Sequence, residues 1–139
     1  AMPQLLIIGS RGWANEAVFA RLDSVTPGGP VRELPGLSDG AVAALLDGAQ
    51  ALLFPSLAEG FGLPAVEAAA LGVPVIASNL PVFRDILDDY PVYLDSGDSY
   101  SWMETITEKL QAAGDANLQR KKRAALGWVA HFNAVLNLV

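Results

Sequence analysis

The chain has 139 residues, enough for one domain with its own hydrophobic core. Hydrophobic residues make up 52% of the sequence and charged residues 17%, a composition that excludes intrinsic disorder. The net charge of −6 argues against nucleic-acid binding, and the lack of cysteine excludes disulfides and thiolate metal sites. Neither a membrane-spanning apolar run nor a signal peptide is recognisable, so we expect a cytoplasmic protein.

Strand-like and helix-like segments alternate along the chain. The apolar run at residues 4–9 predicts a buried strand, and the helical spacing of apolar residues predicts a helix over 14–24. Residues 31–34 are interpreted as a second, short strand. Ser38 is a suitable N-cap for an amphipathic helix that reaches Ala49.

The second half of the chain continues this alternation. Strands are predicted at residues 50–54, 73–77 and 91–94, and an apolar helix is predicted over 64–71, ending at Gly72. Successive βαβ units form a parallel sheet with helices on both faces. The sequence therefore predicts an α/β fold whose ligands bind at the carboxyl ends of the strands.

Two further helices are predicted towards the C-terminus. Asp98 or Ser101 can cap a helix that carries Trp102, and Ser101 with Glu104 fits a capping box. The final helix, over residues 125–139, would place seven apolar side chains on one face. A stripe of that width is expected to cover an element that this sequence does not contain.

The segment from Phe54 to Ala68 carries the clearest functional signal. A strand ends at Phe54, a loop with Gly60 and Gly62 follows, and Pro64 stands at the helix start, where proline is best tolerated. The unpaired N–H groups of a helix start attract anions, and glycines let a bulky anion approach the backbone. A phosphate or pyrophosphate fits this arrangement.

Two glutamates border the predicted anion site. Glu59 lies in the loop and Glu67 about one turn into the helix, and both side chains can accept hydrogen bonds from sugar hydroxyls. A second interpretation is equally open on physical grounds. In it, Glu67 interacts with the helix dipole and Glu59 is a solvated loop residue.

Four short motifs in this half of the chain carry a resemblance to a known family. They are Pro55-Ser56, Glu59-Gly60-Phe61-Gly62-Leu63-Pro64, Glu67-Ala68 and Leu71-Gly72-Val73-Pro74-Val75-Ile76-Ala77-Ser78. Together they resemble the signature of glycosyltransferase family 4, a group 1 glycosyltransferase family in which two glutamates are separated by seven residues. The loops at residues 9–13 and 35–39 are similar to the two strand-end loops that precede this signature.

The resemblance implies a Rossmann-like, three-layer α/β/α domain with a parallel sheet. Residues 1–139 would form the C-terminal, donor-binding domain of the two-domain GT-B fold. Members of the family bind a nucleotide-diphospho-sugar between the two domains and transfer the sugar with retention of configuration, generally without a metal. Polysaccharide or lipopolysaccharide synthesis is the implied setting, with a GDP- or UDP-sugar as donor and no cofactor.

The resemblance also implies roles for individual residues. Glu59 would contact the donor sugar near the reacting carbon as the catalytic candidate, and Glu67 would bind the ribose hydroxyls. The backbone lying against the sugar and diphosphate would be that of Gly60, Phe61, Gly62 and Leu63. The base would be lined by Gly36, Leu37 and Ser38, and the loop close to the diphosphate or base would contribute Gly9 and Arg11.

Three departures from the family pattern bear on activity. The family's donor domain begins one βα unit earlier, with an arginine and a lysine that neutralise the diphosphate. Arg11 is the nearest substitute, although an ordinary surface role fits it equally. The acceptor domain with its catalytic histidine is absent, and His131 is interpreted as a packing or surface residue. Asp85 stands where the family often has glutamate. We expect no sugar transfer by this chain alone.

Two other functions remain open from the sequence: a non-catalytic nucleotide-sugar-binding module and half of a nucleotide-sugar epimerase. The expected partners are the nucleotide-sugar donor and a missing N-terminal acceptor domain, with no nucleic acid. Loss of that domain would expose apolar surface, from which we expect homo-oligomers. Peripheral membrane association is expected only of a full-length protein.

Overall fold

The protein is described by a computed structural model over residues 3–13 and 15–112. Strands and helices alternate in the order β1 (Leu5–Ile8), α1 (Glu16–Asp23), β2 (Val31–Leu34), α2 (Asp39–Gly48), β3 (Leu52–Phe54), α3 (Leu63–Leu71), β4 (Val75–Ser78), α4 (Pro81–Leu87), β5 (Val92–Leu94) and α5 (Ser99–Ala112). All strand pairs within this part of the chain are parallel, which confirms the predicted α/β class. The predicted final helix over 125–139 and His131 lie outside the described residues.

The chain divides into two compact units, residues 1–45 and residues 46–139. The first unit contains the parallel pair β1-β2, in which Leu5 is opposite Val31. The second contains a parallel sheet in the order β3-β4-β5. The assignment of residues 1–139 to one domain remains a prediction.

The core of the second unit lies on one face of its sheet, beneath α3 and α4. Since side chains alternate along a strand, Val75 and Ala77 of β4 share the face that joins this core. The helices contribute Phe83 and Leu87 from α4, and α3 contributes three buried alanines, Ala65, Ala68 and Ala69. Burial of a side chain as large as Phe83 or Leu87 contributes roughly 1.5–3 kcal/mol. The small alanine side chains allow α3 to approach the sheet closely.

The junction between α3 and β4 explains why the strand begins later than predicted. Gly72 ends α3 in the left-handed conformation, with φ of +76°, as a glycine C-cap does. The N–H of Val73 then donates to the carbonyl oxygen of Ala68 at 2.8 Å, which closes the end of the helix. Pro74 has no N–H to donate, so the strand starts at Val75.

The start of α5 corrects one detail of the sequence prediction. Asp98 precedes the helix, and its Oδ1 accepts a hydrogen bond from the N–H of Ser101 at 3.1 Å. Ser101 lies inside the helix and donates its hydroxyl to Asp98 Oδ2 at 2.5 Å. These hydrogen bonds lower the pKa of Asp98. The cap is therefore Asp98, and the predicted capping box of Ser101 with Glu104 is wrong.

Candidate functional site

The loop that joins β3 to α3, residues 55–62, holds the first predicted glutamate in a fixed orientation. Glu59 is half-buried, and Ser56 donates its hydroxyl to Glu59 Oε1 at 2.7 Å. Within the described residues, no protein group donates to Glu59 Oε2. One carboxylate oxygen is thus held by the loop itself, and the other is available to a ligand hydroxyl.

The start of α3 has no side-chain cap. Gly62 is the N-cap residue, with φ of +78° and ψ of +47°, and Pro64 in the first turn carries no N–H. The carbonyl oxygen of Gly62 accepts the N–H groups of Ala65 at 3.0 Å and Val66 at 3.3 Å. Across residues 3–13 and 15–112, no group accepts the N–H of Gly62 or Leu63. The two donors and the positive end of the helix dipole favour an anion here.

The backbone at Gly62 lies directly against an aromatic ring. A Cβ placed on Gly62 would overlap Cε1 of Phe83 and lie 3.2 Å from its Cδ1 and 3.3 Å from its Cζ. Phe83 belongs to α4 and is fully buried, with its ring centroid 5.5 Å from that of Phe54. Only glycine fits at position 62, because both the positive φ and the ring exclude a side chain.

The remaining predicted residues of this segment lie at the surface. Glu67 is exposed on α3, one turn after the helix start. Phe61 is 38% exposed and Leu63 is 60% exposed, while Gly62 between them is buried. The structure therefore brings the residues of the predicted site together on one loop and one helix of the second unit: Glu59, Gly60, Phe61, Gly62, Leu63 and Glu67.

The other predicted residues belong to the first unit and follow its two strands. Gly9 comes directly after β1 with φ of +131°, and Gly36 follows β2 with φ of +68°. Ser38 is confirmed as the N-cap of α2, since its carbonyl oxygen accepts the N–H of Val42 at 3.0 Å and its Oγ accepts the N–H of Ala41 at 3.4 Å. Because β1 and β2 are parallel neighbours, both loops lie at the carboxyl edge of this sheet. Gly9, Gly36, Leu37 and Ser38 thus have the predicted strand-end positions, and their roles remain predictions.

Arg11 is occupied by two carboxylates of its own unit. Its Nε donates to Glu33 Oε1 at 2.9 Å, and its Nη2 lies 2.6 Å from both Glu33 Oε2 and Asp23 Oδ1. Hydrogen bonding to the two carboxylates raises the pKa of Arg11, and the same bonds lower the pKa of Glu33 and of Asp23. A diphosphate would have to compete with both acids for this guanidinium. The geometry supports the surface role that the sequence left open.

Ser56 and Phe83 support the site, but no individual role was predicted for either from the sequence. Ser56 lies within the recognised motif. Its position three residues before Glu59 in a loop is a spacing that could have predicted a contact between the two side chains. Phe83 lies in a different helix, and no local pattern links it to Gly62. Its contribution depends on a contact between distant parts of the chain.

In the described ranges, His, Asp and Glu side chains form no group of three or more that could hold a metal ion. Binding of the donor without a metal remains a prediction.

Among the helices from α1 to α5, none has both the length and the apolar character needed to cross a membrane.

Comparison with known proteins identifies the class. The family model described as "Glycosyl transferases group 1" matches residues 3–125, and the chain therefore belongs to this family. This result confirms the predicted group. The narrower assignments to family 4 and to a C-terminal donor-binding domain remain predictions.

Several similar proteins are mannosyltransferases. The chain is 32% identical over 107 residues to the O-antigen chain mannosyltransferase B of Escherichia coli, covering 77% of this chain and 28% of that protein. It is 33% identical over 114 residues to the serotype-specific mannosyltransferase WbdA of Escherichia coli, covering 81% of this chain and 14% of that one. Over 52 residues it is 50% identical to the MMP alpha-(1->4)-mannosyltransferase of Mycolicibacterium hassiacum, a match that covers 37% of this chain and 13% of that protein. The chain spans less than a third of the length of each of these relatives.

Proposed function

We propose that this chain binds the nucleotide-diphospho-sugar donor of a retaining mannosyltransferase. In this proposal it forms the C-terminal half of a GT-B fold and acts in the synthesis of a polysaccharide or lipopolysaccharide. The observation that carries the proposal is the uncapped start of α3 beside an oriented carboxylate. The N–H groups of Gly62 and Leu63 find no acceptor in the described part of the chain, while Ser56 holds Glu59 next to them in the sequence.

The backbone N–H groups suit the diphosphate of a nucleotide sugar, and the carboxylates suit its sugar hydroxyls. A diphosphate is an anion that accepts hydrogen bonds, and backbone N–H groups at a helix start donate them without a counter-charge. Sugar hydroxyls donate hydrogen bonds, and carboxylates accept them. We therefore assign the diphosphate to the backbone at Gly62 and Leu63, the transferred sugar to Glu59, and the ribose hydroxyls to Glu67.

The same assignment describes what the chain contributes to the reaction. Transfer breaks the bond between the sugar and the diphosphate, so negative charge develops on the departing phosphate oxygen. Donors already in place at the α3 start stabilise that charge without reorganising. The acceptor has to be held in line with the reacting carbon, which we assign to a second domain. Binding by this chain alone, without transfer, follows from this division.

Mannose is the sugar that we propose for the donor. The support is the repeated mannosyl activity in the names of the similar proteins from Escherichia coli and Mycolicibacterium hassiacum. GDP-mannose is therefore the first nucleotide sugar to test. The sequence alone left the base open between GDP and UDP, so both have to be compared.

Thermal unfolding in the presence of ligands tests the proposal. The chain is heated with GDP, UDP, GDP-mannose, UDP-glucose or ADP-glucose, each at about 100 times its expected dissociation constant. Binding at that concentration adds about 2.7 kcal/mol to the free energy of unfolding, which raises Tm by several degrees. We expect the largest increase with GDP-mannose.

Two variants distinguish binding at this site from binding elsewhere. Glu67→Ala removes the proposed ribose contact and is expected to abolish most of the Tm increase. Glu108→Ala removes an equally exposed glutamate from α5 and is expected to keep it. Equal Tm increases in both variants would contradict the assignment of Glu67, and no increase with any nucleotide would contradict donor binding by this chain.

A further inference from the structure

We infer that Phe83 is a positioning residue for the donor. Its buried ring fixes Gly62 and, through Gly62, the N-terminal turn of α3 that meets the diphosphate. This inference rests on the proposed function, because it concerns the same site. It adds a residue that lies outside the recognised motif, in the helix that follows the next strand.

The contact between Phe83 and Gly62 is close. The three heavy atoms nearest to a Cβ at Gly62 all belong to the Phe83 ring, and one of them would overlap it. In the protein as it is, the ring takes up the space that any other residue at position 62 would require. The glycine backbone therefore lies against the Phe83 ring.

Phe83 is itself held from several directions. It is 0% exposed, and its ring lies at 49° to that of Phe54 at a centroid distance of 5.5 Å. Its carbonyl oxygen lies 2.9 Å from the hydroxyl of Tyr93 in β5, which also lies 2.8 Å from the carbonyl oxygen of Asp88. Because the ring is part of the rigid core and a glycine is conformationally free, the ring determines the position of the glycine.

A shift at Gly62 would reach the proposed binding groups directly. The carbonyl oxygen of Gly62 accepts the N–H groups of Ala65 and Val66, so rotation of its backbone breaks the first turn of α3. The N–H groups of Gly62 and Leu63 would turn away with it. Without the ring, the glycine samples more conformations, and a ligand has to order the loop when it binds. Loss of such preorganisation weakens affinity.

A role in core packing alone makes a different prediction. Such a role lowers the stability of the protein and leaves the affinity of the folded protein unchanged. Leu87 provides the matched control, because it lies in the same helix, is also buried, and is absent from the atoms nearest to Gly62. Both side chains lose volume when they are shortened, but only Phe83 supplies the atoms nearest to Gly62.

The experiment compares Phe83→Leu with Leu87→Ala in the whole chain. The dissociation constant for GDP-mannose is measured by calorimetry at a temperature where both variants are folded. We expect Phe83→Leu to bind about tenfold more weakly than the native chain, since preorganisation is lost, and Leu87→Ala to stay within about threefold. If Phe83→Leu does not fold, Phe83→Met replaces it, since methionine fills irregular core space with less disturbance.

A second pair of variants tests the contact itself. Gly62→Ala introduces the Cβ that collides with the ring, and we expect it to lose binding. Combined with Phe83→Leu, which makes room for that Cβ, it should bind more tightly than Gly62→Ala alone. Such non-additivity is the signature of a direct contact.

The outcomes distinguish failure of the positioning role of Phe83 from failure of the proposed function. Equal weakening in Phe83→Leu and Leu87→Ala, or full affinity in Phe83→Leu, overturns the positioning role while the native chain still binds GDP-mannose and the proposed function stands. Strict additivity of Gly62→Ala and Phe83→Leu also overturns it. Failure of the native chain to bind any of the tested nucleotide sugars overturns the proposed function and this inference together.

Discussion

The loops that follow β1 and β3 use their polar groups in opposite ways. After β1, the guanidinium of Arg11 is bonded to Glu33 and Asp23, so its charge is neutralised within its own unit. After β3, the start of α3 has no capping side chain, and the N–H of Leu63 is accepted by no group of the described residues. The difference separates polar groups that are paired within the fold from those that we propose for a ligand.

The two loops are also held in place by different kinds of contact. The β1 loop is held by exposed ion pairs, which salt and low pH weaken. The β3 loop is held by the Ser56 hydroxyl on Glu59 and by the fully buried Phe83 against Gly62. A binding site benefits from the second kind of support, because buried contacts stay in place when solvent conditions or a charged ligand change the surface.

Substitution of Gly62 is expected to have the largest effect on stability. Gly62→Ala forces a side chain into a positive φ and against Phe83, and we expect it to lower the free energy of unfolding by about 2–4 kcal/mol. Urea denaturation followed by circular dichroism measures the change. Gly60→Ala is the control, since a Cβ there meets nothing within 4 Å. A similar loss in both variants would show that the ring contact is not the cause.

Removal of the Ser56 hydroxyl is expected to have an intermediate effect, on binding more than on folding. Ser56→Ala frees Glu59 to rotate, and we expect about 1 kcal/mol of weaker donor binding, roughly a fivefold higher Kd. Calorimetric titration with GDP-mannose measures it. Ser96→Ala changes an exposed serine of the same unit and should leave the Kd unchanged. An unchanged Kd in Ser56→Ala would show that Glu59 needs no support from the loop.

The smallest effect is expected at Arg11. Arg11→Gln removes a charge that is already balanced, so we expect a small fall in Tm at neutral pH and unchanged donor binding. A clear loss of binding would contradict the structural role of Arg11, because it would show that the guanidinium leaves its carboxylates for the diphosphate. Thermal unfolding with and without GDP-mannose separates the two results.

The pH dependence of the same variant sharpens this result. The pKa of Glu33 and of Asp23 is lowered by Arg11 from the usual values of 4.5 and 3.8. A carboxylate whose pKa is lower in the folded state stabilises the fold above its usual pKa and loses that contribution as the pH falls through the folded value. The Tm difference between Arg11→Gln and the native chain should therefore be present at pH 7 and shrink as the pH falls through the lowered pKa of the two carboxyl groups. A difference that persists in acid would point to lost packing on Phe19, whose ring centroid lies 5.1 Å from the guanidinium carbon.

Local signals were enough to predict most of the fold. The strand at 31–34 was predicted with the bounds that the structure shows, and the helix that ends at Gly72 was predicted from an apolar run and a glycine. The start of β4 was missed by two residues, and the cap of α5 was left open between Asp98, which the structure confirms, and Ser101. In both cases the deciding hydrogen bond, from Val73 to Ala68 or from Ser101 to Asp98, competes with an equally plausible local pattern.

The site was predictable only in part. The motif identified Glu59 and the glycine loop, because their meaning lies in residue type and short spacing. It did not identify the carboxylates bound to Arg11 or the ring beneath Gly62, because those contacts join residues that are far apart in sequence. Contacts of this kind depend on how strands and helices are placed, which a single sequence does not state.

The alanine face of α3 limits how a site of this kind can change during evolution. Ala65, Ala68 and Ala69 are almost completely buried, so a larger residue at any of them would push the helix away from the sheet. The side chains of Leu63 and Glu67 in the same helix are exposed, so a larger residue there would not push the helix away from the sheet. Mutations that alter ligand preference can therefore accumulate on the outer side of the helix, while the inner side keeps the backbone donors where they are.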